Sequence, residues 1–184
     1  APKINVTGFD IVWIEPSGQY VFDYDGNLTL KDSYHLDSGS TDKVAFDFGN
    51  IAGNVKLENV TLLIYSGSSS TTYNFDFKIN ATGVIEVRNT TINSTYFRNS
   101  IIELKGSKII IEDSSLRAST RFTSHNSCNC NAYDTRSYMI LSSSGDIEIN
   151  DSILVSLSEQ TSTYTNGNYD RRSFSYIEID GDDI

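Results

Sequence analysis

Acidic side chains recur within short apolar motifs, and they are the residues of this chain best suited to chemistry. Carboxylate oxygens are the ligands that calcium prefers, and two carboxylates about 5–10 Å apart can cleave a glycosidic bond. If the motifs stack on one another, their acidic residues form a column on the surface. That column is a solvated acidic face, a stripe that binds cations such as calcium, or an adaptation to an acidic habitat. The five positions are Asp23, Asp47, Asp76, Glu103 and Glu178.

These acidic motifs form the first half of a degenerate repeat. The second half is another short strand, in which apolar and polar residues alternate and which ends in Asn or Asp. Copies of it begin at Leu28, Val55, Ile85, Ile109 and Ile147. Their spacing falls within the roughly 20–50 residues that are typical of solenoids and other repeat arrays.

The repeat resembles the right-handed parallel β-helix of pectate-lyase-like proteins, in which each repeat is one coil of short strands. Alternation of apolar and polar residues is the period of a half-buried strand. We expect about six coils over residues 20–184, preceded by an apolar strand within residues 1–19. An immunoglobulin-like or pilin β-sandwich is the alternative fold. Stacking predicts one outward column of alternating charge: Lys31, Glu58, Arg88, Glu112 and Asn150.

An Asn or Asp closes each second strand, and a structural role is expected for it. These residue types tolerate left-handed backbone geometry and hydrogen-bond within their own turn. We predict turn residues, or members of a stacked polar ladder at the coil corner, at Asp32, Asn59, Asn89, Asp113 and Asp151.

Seven Asn-x-Ser/Thr sequons mark candidate sites for N-linked glycans. Their number exceeds the chance expectation, which favours a secreted glycoprotein at the cell surface. Asn59 and Asn89 are poorer candidates because a corner residue is poorly accessible. The favoured sites are Asn5, Asn27, Asn80, Asn93 and Asn150.

Cys128 and Cys130 form a Cys-Asn-Cys motif in the longest polar insertion. Two cysteines are too few for a disulfide framework. Free thiols, a strained local disulfide, a bond to another subunit and metal ligation all stay open.

The two ends of the chain carry apolar strands, which favours assembly with copies of itself. A solenoid exposes unpaired strand edges at its ends. Residues before the repeats either cap their own domain or complete a neighbour's edge, as in donor-strand addition. Such head-to-tail contacts build an open filament, an organisation similar to thread-like or pilin-like surface filaments. The expected interface residues are Phe9, Ile11, Val12, Trp13, Ile14, Ile177, Ile179 and Ile184.

Composition narrows the function classes. The formal net charge of −10 argues against binding to nucleic acid, and no apolar run is long enough to span a membrane. We expect a secreted structural subunit of a filament or surface layer, with adhesion to surface polysaccharide as a further role. The alternatives are a carbohydrate-binding adhesin and a polysaccharide lyase or glycosidase, for which Arg88, Arg117, His35 and His125 are the available side chains.

Overall fold

The computed structural model of the protein describes residues 10–14, 19–23, 26–37, 43–65, 74–96, 98–124, 134–162 and 172–184. This part of the chain is all-β. Its strands are β1 (Asp10–Ile14), β2 (Gln19–Asp23), β3 (Leu28–Asp37), β4 (Lys43–Ile51), β5 (Val55–Tyr65), β6 (Asn74–Ala81), β7 (Val84–Arg88), β8 (Thr91–Tyr96), β9 (Asn99–Gly106), β10 (Lys108–Glu112), β11 (Ser115–Ser124), β12 (Thr135–Ser143), β13 (Ile147–Asn150), β14 (Ile153–Ser162) and β15 (Ser173–Asp180).

The strands form two sheets, here called sheet one and sheet two. Sheet one has the order β1-β2-β4-β6-β9-β12-β15, and only its β1–β2 pair is antiparallel. Sheet two has the order β13-β10-β7-β5-β8-β11-β14, with β3 paired in parallel along β5. The first half of β5 pairs with β7 and its second half with β8, so β5 joins the two arms of the sheet.

Parallel partners come from successive copies of the sequence repeat. Leu28 lies opposite Val55, Val55 opposite Ile85, and Ile85 opposite Ile109. This arrangement confirms the all-β prediction and is consistent with a parallel β-solenoid. It is at odds with the alternative immunoglobulin-like sandwich, because the sheets of that fold are antiparallel.

Apolar side chains of both sheets fill one continuous core. Burial alternates along the strands, as in β7, where Ile85 and Val87 are buried and the residues between and beside them are only half-buried. In sheet one, the Phe77 ring packs against Phe46 and Phe48, with centroid separations of 5.6 and 5.3 Å. Aromatic pairs at such distances stabilise a core beyond the area that they bury.

Part of the interior is lined with hydroxyl groups rather than apolar side chains. Ser94 and Ser100 share a hydrogen bond, and Ser119 Oγ donates to the Ser94 carbonyl oxygen at 2.6 Å. Thr135 Oγ1 lies 2.7 Å from Ser158 Oγ on β14. Burial of these groups is tolerated because they hydrogen-bond to one another and to the main chain.

The corner residues adopt the predicted left-handed conformation. Asp32, Asn59, Asn89, Asp113 and Asp151 have φ between 45° and 55°. Asn59 Nδ2 donates to Asp32 Oδ1 at 2.8 Å, and Asn89 Nδ2 donates to Asn59 Oδ1 at 3.3 Å. The corner is therefore a turn and, over its first three members, a stacked side-chain ladder, which confirms the structural prediction.

A second corner requires glycine because successive backbones approach closely. Gly83 N donates to the Gly53 carbonyl oxygen at 2.9 Å, and Ser107 N donates to the Gly83 carbonyl oxygen at the same distance. A Cβ atom on Gly83 would lie 2.6 Å from that Gly53 oxygen. Main-chain atoms at this corner cannot move aside as a flexible side chain would, so a larger residue would push the stacked strands apart.

The predicted column of alternating charge is confirmed. Lys31 lies opposite Glu58, Glu58 opposite Arg88, Arg88 opposite Glu112, and Glu112 opposite Asn150. Opposite charges directly across neighbouring strands stabilise the sheet modestly.

The predicted acidic column is wrong. Asp47 lies opposite Lys78, not Asp76, and Lys78 lies opposite Glu103. Glu103 and Glu178 do share one column, with Ile140 between them at the copy of the repeat that carries no acid. At the other end, Val21 rather than Asp23 lies opposite Asp47. The five acids therefore do not all lie in one column.

A β-bulge accounts for part of the mistaken register. Between Asp47 and Asn50, β4 has one residue more than β6, and Gly49 within this stretch has φ of 61°. A glycine in the left-handed conformation is one recognised form of such a bulge. Alignment of the two Phe-Asp-Phe motifs is wrong by two residues, because the structure places Phe46 opposite Phe77, and the bulge supplies one of them.

Substitutions at Asn59 test the corner geometry. We expect Asn59→Ala to lower the free energy of unfolding by about 1 kcal/mol more than Asn59→Gly, because alanine is strained at positive φ and glycine is not. Both variants lose the ladder hydrogen bonds. The difference between their free energies of unfolding therefore reports only the strain of the backbone at positive φ. Urea unfolding of unglycosylated protein measures it, with Lys78→Ala on an exposed position of β6 as the control. Equal stability of the two Asn59 variants would contradict the prediction.

Candidate functional site: the ends of the stacked strands

The C-terminal end of the stack exposes apolar residues that would be core elsewhere. Seven of the eight residues of β15 are exposed, and Ile179 is half-buried. Ile177 is 41% exposed, whereas its neighbour Met139 on β12 is fully buried. The difference arises because β12 lies between two strands and β15, among the described strands, pairs only with β12.

The four residues after β15 repeat the glycine corner. Asp182 N donates to the Gly145 carbonyl oxygen at 3.0 Å, and Ile147 N donates to the Asp183 carbonyl oxygen at 2.9 Å. The same contact joins Ile109 N to the residue before Ile147. Ile184, which is 75% exposed, therefore occupies the place that begins a strand in each earlier repeat.

At the N-terminal end of the stack, unlike the C-terminal end, the inward apolar side chains of the terminal strand in sheet two are buried. Leu28 and Leu30 of β3 are buried, so the interior is closed there. The outward side chains of the same strand are not: Tyr34 is 58% and Leu36 50% exposed. In sheet one the terminal strand is β1, which pairs with β2 of its own chain, the arrangement that the cap interpretation predicts.

Exposed apolar side chains are confined to the two ends. In the described part of the chain, the seven large apolar residues with high exposure lie on β3, on β14, on β15 or in the tail that follows it. Contiguous apolar exposure of this kind marks interaction surfaces in soluble proteins. The seven residues are Tyr34, Leu36, Ile153, Phe174, Tyr176, Ile177 and Ile184.

The outward face of β12 and β15 carries an aromatic cluster. The Tyr138 and Tyr176 rings lie 4.3 Å apart between centroids, and the Arg136 guanidinium lies 5.8 Å from the Phe174 ring. Burial raises the pKa of the Tyr176 hydroxyl, and the neighbouring Tyr138 adds to the shift. The cluster extends the apolar surface of the C-terminal end around the side of sheet one.

The outward face of sheet two is charged and laterally paired. Lys31 Nζ lies 3.7 Å from Glu58 Oε2, and Lys56 Nζ lies 3.1 Å from the same oxygen. The hydrogen bond from Lys56 and the charge of Lys31 lower the pKa of the Glu58 carboxyl. Further along, Lys108 pairs with Glu148, which raises the pKa of the Lys108 ammonium.

Arg88, a candidate side chain for polysaccharide cleavage, lies within this charged face. It forms ion pairs with Glu86 and Glu112 on its own and the neighbouring strand. Arg117 is exposed on β11. The side chain of His35, and His125 entirely, lie outside the described residues.

The sequon asparagines fall into different environments. The side-chain nitrogen of Asn80 donates to Asn50 Oδ1 at 2.9 Å, and those of Asn59 and Asn89 belong to the corner ladder. All five of Asn27, Asn59, Asn80, Asn89 and Asn150 are exposed, so the prediction that the corner residues Asn59 and Asn89 are poorly accessible is wrong. Asn27 Oδ1 accepts a hydrogen bond from Asn54 N at 2.8 Å, so the interaction engages the side-chain oxygen of Asn27 and not its nitrogen.

Two other sequons complete the set. Asn93 is half-buried on the outward face, and its buried Oδ1 has no hydrogen-bond partner in the described structure. Asn5 lies outside the described residues, as do Phe9, Cys128 and Cys130 from the other predicted sites. For Ile11, Val12, Trp13 and Ile14 the backbone alone is described, within β1.

Of the predicted metal ligands, Asp76, Glu103 and Glu178 have side chains that the structure describes. Across the described ranges, no three His, Cys, Asp or Glu side chains come together in a way that suits a metal ion. Asp76 and Glu103 lie on adjacent strands but out of register with each other.

Sequence reasoning missed Tyr34, Leu36 and Ile153 at the ends of sheet two. Their signal was available: Tyr34 and Ile153 each stand two residues after a corner Asp, where Asn59, Asn89 and Asp113 are followed by Thr or Ser. An apolar residue only in the first and last copies of a repeat indicates a special role for the ends.

Comparison with known proteins finds no match: no family model, no curated protein and no solved structure is similar to this chain. Among the described residues, no helix of the length and apolar character needed for a membrane span is present. The role of the surfaces must therefore be inferred from their own geometry.

The lowered pKa of Glu58 predicts a pH-dependent contribution to stability. A carboxyl whose folded-state pKa lies below its ordinary value stabilises the fold above that ordinary value and loses the contribution as pH falls through the folded-state pKa. We expect Glu58→Gln to destabilise the protein slightly at pH 7 and to have no effect at pH 2. Unfolding curves at both pH values measure this.

Glu178→Gln is the matched control, because Glu178 lies opposite Ile140 and forms no ion pair among the described residues. A Glu58→Gln effect of equal size at both pH values would show that the ion pairs with Lys31 and Lys56 do not act through charge.

Proposed function

We propose that the chain is a secreted, glycosylated structural subunit that assembles head to tail into an extracellular filament or cell-surface layer. Its fold in this proposal is a right-handed parallel β-helix of about six coils, each corresponding to one sequence repeat. The observation that carries the proposal is the confinement of exposed apolar side chains to the two ends of the stack.

The β-helix interpretation is supported by the order in which the chain visits its strands. A strand of sheet one is followed by a strand in each arm of sheet two, and the chain then returns to sheet one beside its previous strand, as in β6, β7, β8 and β9. The left-handed corner residues and the glycine corner recur once in each such circuit. Stacked coils of this kind leave unpaired edges only at their ends.

End-to-end contact would cover both kinds of exposed surface. At one end β15 and β14 present apolar side chains, and at the other β3 presents Tyr34 and Leu36. Among the described strands of sheet one, β1 and β15 are the terminal ones, so in this proposal β1 of one copy pairs with β15 of another. A contact between unlike ends does not close on itself, so it propagates as a filament.

The sides of the stack suit exposure to solvent and glycans. Sheet two carries paired charges on its outward face, such as Arg88 with Glu112. The exposed sequon residues Asn27 and Asn150 offer acceptors for N-linked glycans in a secreted protein. Glycans or exposed side chains on these faces would also contact surface polysaccharide. We propose adhesion through such contacts as a further role of the subunit.

Electron microscopy of the purified native protein tests assembly. We expect regular fibres, and we expect Ile177→Lys to abolish them, because a charge in the contact would be desolvated on assembly. Ile101→Lys is the matched control: it makes the same substitution on the outward side of β9, a middle strand of sheet one. Circular dichroism checks that both variants fold.

Dispersed rods from the native protein would contradict the proposal. Fibres that persist in Ile177→Lys but disappear in Ile101→Lys would instead indicate lateral assembly through the sides of the stack. Deletion of residues 1–15 then tests whether assembly uses the N-terminal strand as a donor strand. Fibres that survive the deletion do not depend on that strand.

Mass spectrometry of glycopeptides from the native source tests glycosylation. We expect higher occupancy at Asn27 and Asn150 than at Asn59, Asn80 and Asn89, because the side-chain nitrogens of the latter three already donate hydrogen bonds in ladders. The seven sites serve as one another's controls within a single digest. The reverse order of occupancy, or no glycan at any site, would contradict this part of the proposal.

A further inference from the structure

We propose that Tyr138 and Tyr176 form an oxidative modification site, at which a one-electron oxidant couples the two phenol rings into a dityrosine within one chain. The oxidant class is a haem peroxidase supplied with a peroxide. The new bond would join β12 to β15. This inference goes beyond the proposed function, since it concerns two strands of a single chain and does not depend on assembly.

The two tyrosines lie directly opposite each other on neighbouring parallel strands. They are register partners of β12 and β15, so their backbones are about 4.8 Å apart. The ring centroids of Tyr138 and Tyr176 are separated by 4.3 Å, and the ring planes differ by 30°. The ring carbons beside each hydroxyl, where phenoxyl radicals couple, therefore lie close to the other ring. Rotation about the side-chain torsions is all that is needed to bring two of these carbons into bonding contact.

Strand pairing holds the two rings together. Eight successive residue pairs join β12 to β15, and β12 is held on its other side by β9. Nearby, Thr135 Oγ1 lies 2.9 Å from Ser173 Oγ, and the Arg136 guanidinium lies over the Phe174 ring. Two reactive groups that are already fixed side by side react faster than groups that must first meet. Coupling within the chain should therefore be faster than coupling between chains.

Both rings stand on the outward face of sheet one. Tyr176 is 43% exposed and Tyr138 is half-buried, whereas Ser137 and Met139, which flank Tyr138 on β12, point inward and are buried. An oxidant in solvent therefore reaches the tyrosine pair. Met139 is the one methionine of the sequence, and its burial shields a side chain that is otherwise readily oxidised.

The coupling step balances as the loss of one hydrogen atom from each phenol. Each hydroxyl gives up one electron and one proton, and the two phenoxyl radicals form one carbon–carbon bond between ring positions ortho to their oxygens. Each newly bonded ring carbon then loses its hydrogen as a proton while its phenol oxygen gains one, which restores both aromatic rings. The peroxide takes up the two electrons and the two protons released by the hydroxyls and leaves as water.

Carboxylates beside the pair are available to accept a proton. Glu178 lies two residues after Tyr176 on the same outward face, and Glu103 shares the column of Ile140 and Glu178. Burial, then Tyr138 and these two carboxylates, raise the pKa of the Tyr176 hydroxyl. The hydroxyl is therefore protonated at neutral pH and loses its proton as the electron leaves, a step that a nearby base assists.

Oxidation of the full chain with hydrogen peroxide and a haem peroxidase tests the site. We expect the fluorescence of dityrosine to appear. We also expect mass spectrometry to find a cross-linked peptide pair that contains residues 138 and 176 and is lighter by two hydrogen atoms. On denaturing electrophoresis under reducing conditions the product should run as a monomer, because the bond lies within one chain. Reduction opens any disulfide and leaves the carbon–carbon bond intact.

Three conservative variants act as controls. Tyr138→Phe and Tyr176→Phe should each abolish the 138–176 product, because a phenylalanine ring has no hydroxyl from which a phenoxyl radical can form. Tyr34→Phe is the matched control and should leave the yield unchanged. Tyr34 is 58% exposed, more than Tyr176, but it lies opposite Thr61 rather than another tyrosine. The comparison therefore separates the contact between rings from exposure alone.

A second oxidant removes enzyme access as a reason for failure. Photolysis of tris(bipyridyl)ruthenium(II) with persulfate supplies a small one-electron oxidant that needs no protein contact. A 138–176 bond formed with either oxidant supports the inference. Three outcomes would overturn it: preferential cross-linking of Tyr34 or of other tyrosines, covalent multimers in place of a modified monomer, and no dityrosine with either oxidant. The electron-microscopy test of assembly is independent of these outcomes, so either proposal can fail alone.

Discussion

Parallel hydrogen bonding between successive repeats is the constraint on which the rest of this structure depends. It places equivalent residues of neighbouring strands about 4.8 Å apart, so every position becomes a column with its own requirement. Inward columns must be apolar or hydrogen-bonded, and the Val55–Ile85–Ile109 column is buried throughout. Corner columns need left-handed residues or glycine, because chain direction changes there while the stacking distance stays the same.

The same constraint explains why the ends differ from the middle. A middle strand such as β9 has partners on both sides, whereas a terminal strand leaves one row of backbone groups and half of its inward side chains uncovered. The N-terminal end is closed over Leu28 and Leu30, yet the C-terminal end leaves Ile177 exposed. In the proposed assembly, contact between opposite ends covers both of these unlike surfaces, whereas a symmetric pair would cover only one of them.

The sequence was informative where the repeat is regular and misleading where it is interrupted. Register along sheet two follows from the Ile-x-Ile pattern and its terminal Asn or Asp, since no copy gains a residue before the corner. In sheet one the Gly49 bulge supplies one of the two residues by which the partner of Asp47, Lys78, differs from the expected Asp76. The Asn50–Asn80 ladder on the far side of the bulge could have revealed the shift, because each Asn precedes a glycine by three residues. The buried hydroxyl cluster around Ser94 and Thr135 was not predictable, since Ser and Thr are equally common in turns.

The charged side chains on the outward face of sheet two are engaged with one another. A general acid or base must exchange protons with a substrate, so it needs a pKa near the working pH and a free face. Glu58 is held ionised by Lys56 and Lys31, and Lys108 is held ionised by Glu148. Arg88 is engaged by carboxylates on two strands. Charge on this face thus joins one strand to the next, so the ion pairs of sheet two contribute to the stacking of its strands.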